Sequence, residues 1–135
     1  IFTLPSYAKN QRNELKFARK IYFWDMGIRN GVIGNMAPVS LRSPEELGHM
    51  WENFLIAERI KRNDYAGRTF VQHYFWMTQQ KKEVDLFEIE DGMMTGFEIK
   101  RKEGKRVGAP ASFTAAYPDA RFECVTPTDL MSFLM

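Results

Sequence analysis

The chain has 135 residues, of which 44% are hydrophobic, and a formal net charge of +2 at pH 7. This length supports one hydrophobic core but not two comfortable domains, so we expect a single domain over residues 1–135. No apolar run approaches the roughly 20 residues of a membrane-spanning helix, so we expect no membrane association. The small net charge does not by itself indicate a nucleic-acid-binding protein. The single cysteine, Cys124, cannot form an internal disulfide, which favours a cytoplasmic location.

The first predicted elements are a strand in "KIYFWD" and a short helix or turn in "MGIRNGVIG" that ends at Gly34. A clearer helix start follows, because Ser43 suits the N-cap, Pro44 suits the first helical position and Glu46 stands where a capping box has its acid. We expect this helix to end near Lys61. Its apolar residues at helical spacing predict the face that packs on the core: Leu47, Met50, Trp51, Phe54 and Ala57.

Three strands follow, over residues 69–77, 83–89 and 94–100. After them, "PASFTAAY" predicts a short helix and "RFECVTP" predicts a last strand. The order helix, three strands, helix, strand indicates an α/β fold.

The second and third of these strands are joined by Asp91-Gly92, which is typical of a two-residue type I′ hairpin turn. Glu90 then pairs with Met93, and counting outward brings Asp85 opposite Glu98. The same register predicts one shared apolar face from two further pairs: Leu86 with Phe97, and Val84 with Ile99.

In this register the Cβ atoms of Asp85 and Glu98 would be about 4.5–5.5 Å apart. Like charges that are directly opposed at this distance destabilise a sheet. A hard divalent cation such as Mg²⁺ or Mn²⁺ between them would replace this repulsion by coordination. A nearby lysine, Lys100, would then steady an attacking water or the charge on a phosphate. Alternatively, Lys100 only neutralises the closer acid in a structural hairpin. A third carboxylate is expected from the helix, where we prefer Glu52 to Glu58 because Glu52 flanks the apolar face.

A cluster of five cations in seven positions, "KRKEGKR", follows the last of the three strands over residues 100–106. Two interpretations stay open for it. It is either an ordinary solvated loop or a patch that contacts nucleic-acid phosphates, through Lys102, Lys105 and Arg106.

The set Glu52, Asp85, Glu98 and Lys100, in the order helix, strand, strand, resembles the PD-(D/E)XK nuclease superfamily, with "VD" and "EIK" as its core signature. More narrowly, four blocks are similar to the uncharacterised domain at the C-terminus of many bacterial and archaeal AAA+-type ATPases: "KIYFWDMGIRNGVIG", "MWENFLIAERI", "HYFW" and "EVDLFEIEDG…FEIK". This resemblance implies a restriction-endonuclease-like core, in which a mixed β-sheet is flanked by helices. It also implies that Asp85 and Glu98 bind metal, that Lys100 is the catalytic lysine and that Glu52 is the helix-borne acid.

The resemblance further implies how the chain is organised. Residues 1–42 would be a lead-in from an ATPase part that is missing here, and residues 43–135 would be the nuclease-like core. The phosphate-binding signature G-x-x-x-x-G-K is absent from the sequence, so we expect no ATP site in this chain.

We therefore expect an Mg²⁺- or Mn²⁺-dependent, nuclease-like domain of an ATPase-linked protein that acts on or binds DNA. Two alternatives stay open. One is a non-catalytic nucleic-acid-binding module, and the other is a protein-interaction or regulatory domain whose partner is the N-terminal ATPase module.

Overall fold

The computed structural model describes residues 1–9, 13–104 and 106–135 of the chain. The fold is mixed α/β, as the sequence predicts, with two β-sheets flanked by helices. Of the helices in the described residues, none combines the length and the apolar character needed to cross a bilayer. The main elements follow one another in this order: β1 (Phe2–Pro5), β2 (Arg19–Tyr22), α1 (Met26–Ile33), α2 (Pro44–Tyr65), β3 (Gln72–Met77), β4 (Glu83–Glu90), β5 (Met93–Ile99), α3 (Ala111–Ala116), β6 (Arg121–Val125) and α4 (Leu130–Leu134).

The larger sheet has the strand order β3-β4-β5-β6, and the smaller sheet pairs β1 with β2. Strands β3, β4 and β5 are antiparallel neighbours, whereas β6 runs parallel to β5. The connection from β5 to β6 contains α3, because two parallel strands need a crossover between them. The segment after β1 joins the two sheets, since Ser6 forms a bridge with Phe75 and the Tyr7 N–H donates to the Phe75 carbonyl at 2.9 Å.

Two hydrophobic cores lie on opposite faces of the larger sheet. Neighbouring residues divide between them, with Phe75 and Leu86 in the first core and Trp76 and Phe87 in the second. Burying each such side chain stabilises the fold by about 1.5–3 kcal/mol. Helices cover both cores with the following buried side chains: Leu55 and Ile56 of α2 and Phe133 of α4 on the first, and Phe113 of α3 on the second.

Helix α2 begins where the sequence predicts. The Ser43 side chain accepts a hydrogen bond from the Glu46 backbone N–H at 3.1 Å, and Pro44 occupies the first turn. The helix continues to Tyr65, four residues beyond its predicted end at Lys61.

The predicted apolar face of α2 is partly wrong. Ala57 is buried as predicted, but Phe54 is 38% exposed, whereas Leu55 and Ile56 are fully buried. The buried face also carries polar side chains that have partners in the fold, and a pattern based on polarity assigns such residues to solvent. Three of them are buried: Asn53, Arg59 and Asn63.

The predicted hairpin turn is confirmed, because Asp91 and Gly92 have φ values of 51° and 78° and type I′ requires positive φ at both positions. The predicted register is confirmed from the turn to the middle of the strands, where these pairs form: Glu90 with Met93, and Leu86 with Phe97.

A β-bulge interrupts β4 beyond that point. Strand β3 pairs Tyr74 with Phe87 and Trp76 with Val84, so one residue of β3 faces two residues of β4. The two residues are Asp85 and Leu86. Such a bulge bends the strand and changes the direction of its side chains.

The bulge overturns one predicted feature of the hairpin. Val84 and Ile99 are predicted to share one face of the sheet. In the structure, Val84 lies in the second core and Ile99 lies in the first. Instead, Leu86 packs in the first core, and the Asp85 carboxylate lies near Glu52 of α2 on the same side of the sheet. The prediction assumes that side chains along β4 alternate strictly between the two faces of the sheet. The extra residue in the bulge breaks that alternation.

A buried ion pair ties α2 to the hairpin. The Arg59 guanidinium donates two hydrogen bonds of 2.8 Å to the Glu88 carboxylate, and both residues are less than a tenth exposed. Arg59 also lies over the rings of Phe97 and Phe133, and Asn63 donates to Glu88 at 3.1 Å. Glu88 is therefore an acid of the hairpin whose partners are structural.

Candidate functional site

Three carboxylates from two elements meet between α2 and the first residues of β4. Glu52 comes from α2, and Glu83 and Asp85 come from β4. One oxygen of each carboxylate lies within 4.8 Å of one oxygen of each of the others. We call Glu52, Glu83 and Asp85 the acidic cluster.

Asp85 is the most buried member of the acidic cluster, at 9% exposure. Its Oδ2 accepts a hydrogen bond of 2.8 Å from the backbone N–H of Ile99, which fixes the carboxylate beside the end of β5. Burial raises the pKa of Asp85 well above its usual range, and the charges of Glu52 and Glu98 raise it further. An acid in this setting is destabilised in its charged form and would gain from a nearby cation.

Glu52 reaches the acidic cluster because it lies one helical turn before the buried residues Leu55 and Ile56. The Tyr22 hydroxyl donates to Glu52 Oε1 at 2.6 Å. Burial, followed by the charge of Glu52, raises the pKa of Tyr22, so the phenol stays protonated and acts as a donor. Glu58, the alternative acid on the same helix, instead pairs with Lys61 at 2.9 Å.

Lys20 of β2 supplies a cation to the acidic cluster. Its ammonium group pairs with Glu83 and lies 3.5 Å from Glu52 Oε1. Burial lowers the pKa of Lys20, but the charge of Glu52 and the hydrogen bond and charge of Glu83 outweigh burial, so the pKa is raised overall. Lys20 therefore stays charged, and its charge offsets part of the negative charge of the cluster.

Glu98 and Lys100 lie beside the acidic cluster rather than in it. The Lys100 Nζ is 3.3 Å from Glu98 Oε1, and Glu98 does not belong to the group of three carboxylates. Burial raises the pKa of Glu98, although Lys100 opposes that shift. The charge of Glu98 still acts on Asp85, so the two predicted residues are electrostatic neighbours.

A cleft of about 320 Å³ opens between β2 and α2 next to the acidic cluster. Its wall includes Lys20, Tyr22, Glu52 and Glu83, and Arg29 and His49 also line it. Small polar molecules thus have access to two of the three carboxylates from solvent.

We call the cation-rich segment 100–106 the basic loop, and its described residues differ in their contacts from those of the acidic cluster. Lys102 is exposed, whereas the Arg106 guanidinium donates to Asp129 Oδ2 at 2.9 Å and to the Cys124 carbonyl at 2.7 Å. The ion pair with Arg106 helps to lower the pKa of Asp129 to about 2. Arg106 therefore fastens the loop to the end of β6, and Lys105 lies outside the described residues.

Sequence reasoning missed Glu83, Lys20 and Tyr22. A signal for Glu83 exists, since it is two residues before Asp85 and both flank Val84, which faces the second core. Lys20 and Tyr22 are likewise two residues apart on one strand, and they are the less exposed positions of that strand. The packing of β2 against α2, which brings these side chains to Glu52, has no signal in the local sequence.

Fold and site together define a mixed α/β domain with a cluster of carboxylates between a helix and a sheet. Residues 47–129 match the family described as a domain of unknown function, DUF4143. This match covers more than half of the chain, which therefore belongs to the DUF4143 family. Strands β1 and β2, with Lys20 and Tyr22, precede the matched residues.

Two mycobacterial proteins are also similar to this chain. They are the uncharacterised proteins Mb2031c of Mycobacterium bovis and Rv2008c of Mycobacterium tuberculosis, each 34% identical over 85 residues. The similarity covers 61% of this chain but only 18% of each relative, so the chain spans less than a fifth of the length of these relatives. No solved structure shows significant similarity.

Proposed function

We propose that this chain is a PD-(D/E)XK-like domain of an ATPase-linked protein, which binds Mg²⁺ or Mn²⁺ and acts on DNA as a metal-dependent phosphodiesterase. The observation that carries the proposal is the acidic cluster, in which three carboxylates from α2 and the first residues of β4 approach each other. Folding alone disfavours such an arrangement, because close like charges repel. The single cysteine and the lack of a membrane-spanning helix in the described residues fit a cytoplasmic protein.

The donor set suits a hard divalent cation, because Mg²⁺ and Mn²⁺ prefer oxygen ligands. An octahedral Mg²⁺ with ligands at about 2.1 Å has neighbouring ligand oxygens about 3 Å apart and opposite ones about 4.2 Å apart. One oxygen of each carboxylate in the cluster lies within 4.8 Å of one oxygen of each of the others, so these three oxygens would have to come closer together for all of them to bind one ion.

Each residue then has a role that follows from its position. Glu52, Glu83 and Asp85 would hold the ion, and the Ile99 N–H would keep Asp85 oriented. A bound ion would supply Lewis-acid chemistry, by polarising a phosphodiester and lowering the pKa of a bound water.

Glu98 and Lys100 would act at the edge of this centre. Lys100 is 43% exposed at its side chain, so its ammonium group is accessible to a phosphate while Glu98 positions it. The sequence predicted Glu98 as a direct ligand. Its ion pair with Lys100 favours the positioning role, and Asp85→Asn should therefore weaken metal binding more than Glu98→Gln does.

The test combines calorimetric titration with Mn²⁺ and cleavage assays on plasmid and single-stranded DNA. We expect the native protein to bind Mn²⁺ and to cleave at least one substrate, and we expect Asp85→Asn to lose both properties. Glu58→Gln is the matched control, since Glu58 is on the same helix but pairs with Lys61. Metal binding and cleavage that persist in Asp85→Asn would contradict the proposal.

A second candidate function is an interaction domain for the ATPase module. Helix α1 has no buried residue, and apolar side chains on it and just after it are exposed: Ile28, Val32, Met36, Val39 and Leu41. These five side chains come from residues 28–41 of the chain, and a contiguous exposed apolar surface is typical of one that another protein covers. A test is whether the ATPase module co-purifies with this domain, and whether Val32→Asp abolishes that association while the domain stays folded.

A further inference from the structure

The acidic cluster already has a cation partner within the chain. Lys20 pairs with Glu83 and Glu52, which supply two of the three carboxylates that we propose as metal ligands. It approaches them from β2, the strand on the other side of the cleft from α2.

Lys20 is held in this position by more than charge. Its ammonium group lies 4.9 Å from the centre of the Phe75 ring, and Phe75 is only 2% exposed. Tyr22, on the same strand, is buried and donates to the same Glu52 oxygen that Lys20 approaches. The strand therefore presents a fixed cation rather than a mobile surface lysine.

A divalent ion and the Lys20 ammonium group would interact with the same carboxylates. Two cations on shared ligands repel each other, and this repulsion is strong where water is partly excluded. The ion can bind the three carboxylates closely only if Lys20 moves away from Glu52 and Glu83.

We propose that Lys20 is a tethered cation that holds the acidic cluster in its metal-free state, and that a divalent ion has to displace its ammonium group. This inference rests on the proposed metal centre and adds that β2, which precedes the residues matched to the family, sets the affinity of that centre. Lys20 is then a positioning residue whose loss makes metal binding tighter.

The decisive experiment is calorimetric titration of Mn²⁺ into the native chain, Lys20→Met and Lys82→Met, each checked by circular dichroism. Methionine keeps an apolar stem against Phe75 and removes the charge. Lys82→Met is the matched control, because Lys82 is an exposed lysine next to Glu83 and its loss changes the net charge equally. We expect Lys20→Met to bind Mn²⁺ between about 5-fold and 150-fold more tightly, the usual range of coupling between two binding events. Lys82→Met should bind like the native chain.

Different failures separate the two proposals. If the native chain binds Mn²⁺ and Lys20→Met binds equally or more weakly, or if both lysine variants gain equally, the role of Lys20 is overturned and the metal centre stands. If only Lys20→Met binds, the role of Lys20 is supported and a metal centre in the native chain is contradicted. If no protein binds Mn²⁺, both are overturned. Lys20→Gln takes the place of Lys20→Met if the latter does not fold.

Discussion

At the scale of single residues, Asp85 is a buried acid of the hairpin whose charged form is disfavoured. Two lysines in its surroundings form ion pairs with other acids: Lys100 pairs with Glu98, and Lys20 pairs with Glu83 and Glu52. Asp85 keeps a backbone hydrogen bond from Ile99, yet burial and nearby acids raise its pKa. A structural acid normally has the opposite shift, because its partners favour the charged form.

Asp85→Asn should therefore stabilise the metal-free protein at pH 7. Asparagine keeps the size and can still accept the Ile99 hydrogen bond, while the repulsion with Glu52 and Glu98 disappears. The free energy of unfolding should rise by up to about 1 kcal/mol. Denaturant melts in EDTA measure this, and a clear loss of stability would mean that Asp85 has a stabilising structural partner.

At the scale of elements, the contrast between Glu88 and Asp85 shows how one strand holds acids of two kinds. Burial acts to raise the pKa of Glu88, but the hydrogen bonds and charge of Arg59 outweigh it and the pKa is lowered. A carboxyl group with a lowered pKa in the folded state contributes stability above its unfolded pKa of about 4.3. That contribution is lost as the pH falls through the lower pKa of the folded state.

Glu88→Gln should thus remove the ion pair between α2 and the hairpin and lower the stability of the fold. Because Arg59 would be left buried without its charge partner, the free energy of unfolding at pH 7 should fall by about 3–5 kcal/mol. The native protein should lose stability below about pH 4.3 as Glu88 becomes protonated, and this loss should be smaller in Glu88→Gln. Melts from pH 3 to pH 7 check both effects. Glu90→Gln is the control, since the Arg68–Glu90 pair is about one-third exposed and should matter far less.

The elements themselves follow closely from local signals. The Ser43 cap, the Asp91-Gly92 turn and the short helix ending at Gly34 are confirmed, because each depends on contacts or dihedral angles of a few adjacent residues. The bulge at Asp85 and the buried face around Leu55 are different. They depend on packing between β3, β4 and α2, and the sequence of one element does not contain that information.

At the scale of the whole molecule, the candidate site combines parts from distant regions of the chain. The approach of Glu52 to Asp85 is predictable, because the PD-(D/E)XK superfamily that the sequence resembles combines a carboxylate on a helix with another on a strand. Lys20 comes from a strand that pairs with β1 in the smaller sheet, and it reaches the cluster through tertiary packing. Arg106 of the basic loop forms its ion pair with Asp129, which is not a member of the acidic cluster.

Salt dependence tests whether the basic loop contacts DNA. Each phosphate contact contributes about −0.9 to the slope of log K against log salt for duplex DNA. Lys102→Ala should make the slope shallower by about 0.9 if the exposed Lys102 contacts one phosphate. Arg106→Ala should instead lower the melting temperature, because it releases the loop from Asp129 and the Cys124 carbonyl. An unchanged slope in Lys102→Ala would remove this residue from the interface.

The central claim, a divalent metal centre in the acidic cluster, is tested most directly by crystals soaked in Mn²⁺. We expect an anomalous difference peak among the carboxylates of Glu52, Glu83 and Asp85, at coordination distance from their oxygens, with the Lys20 ammonium group moved away. Ordered carboxylates with no anomalous peak between them, and Lys20 still paired with Glu83, would contradict the claim.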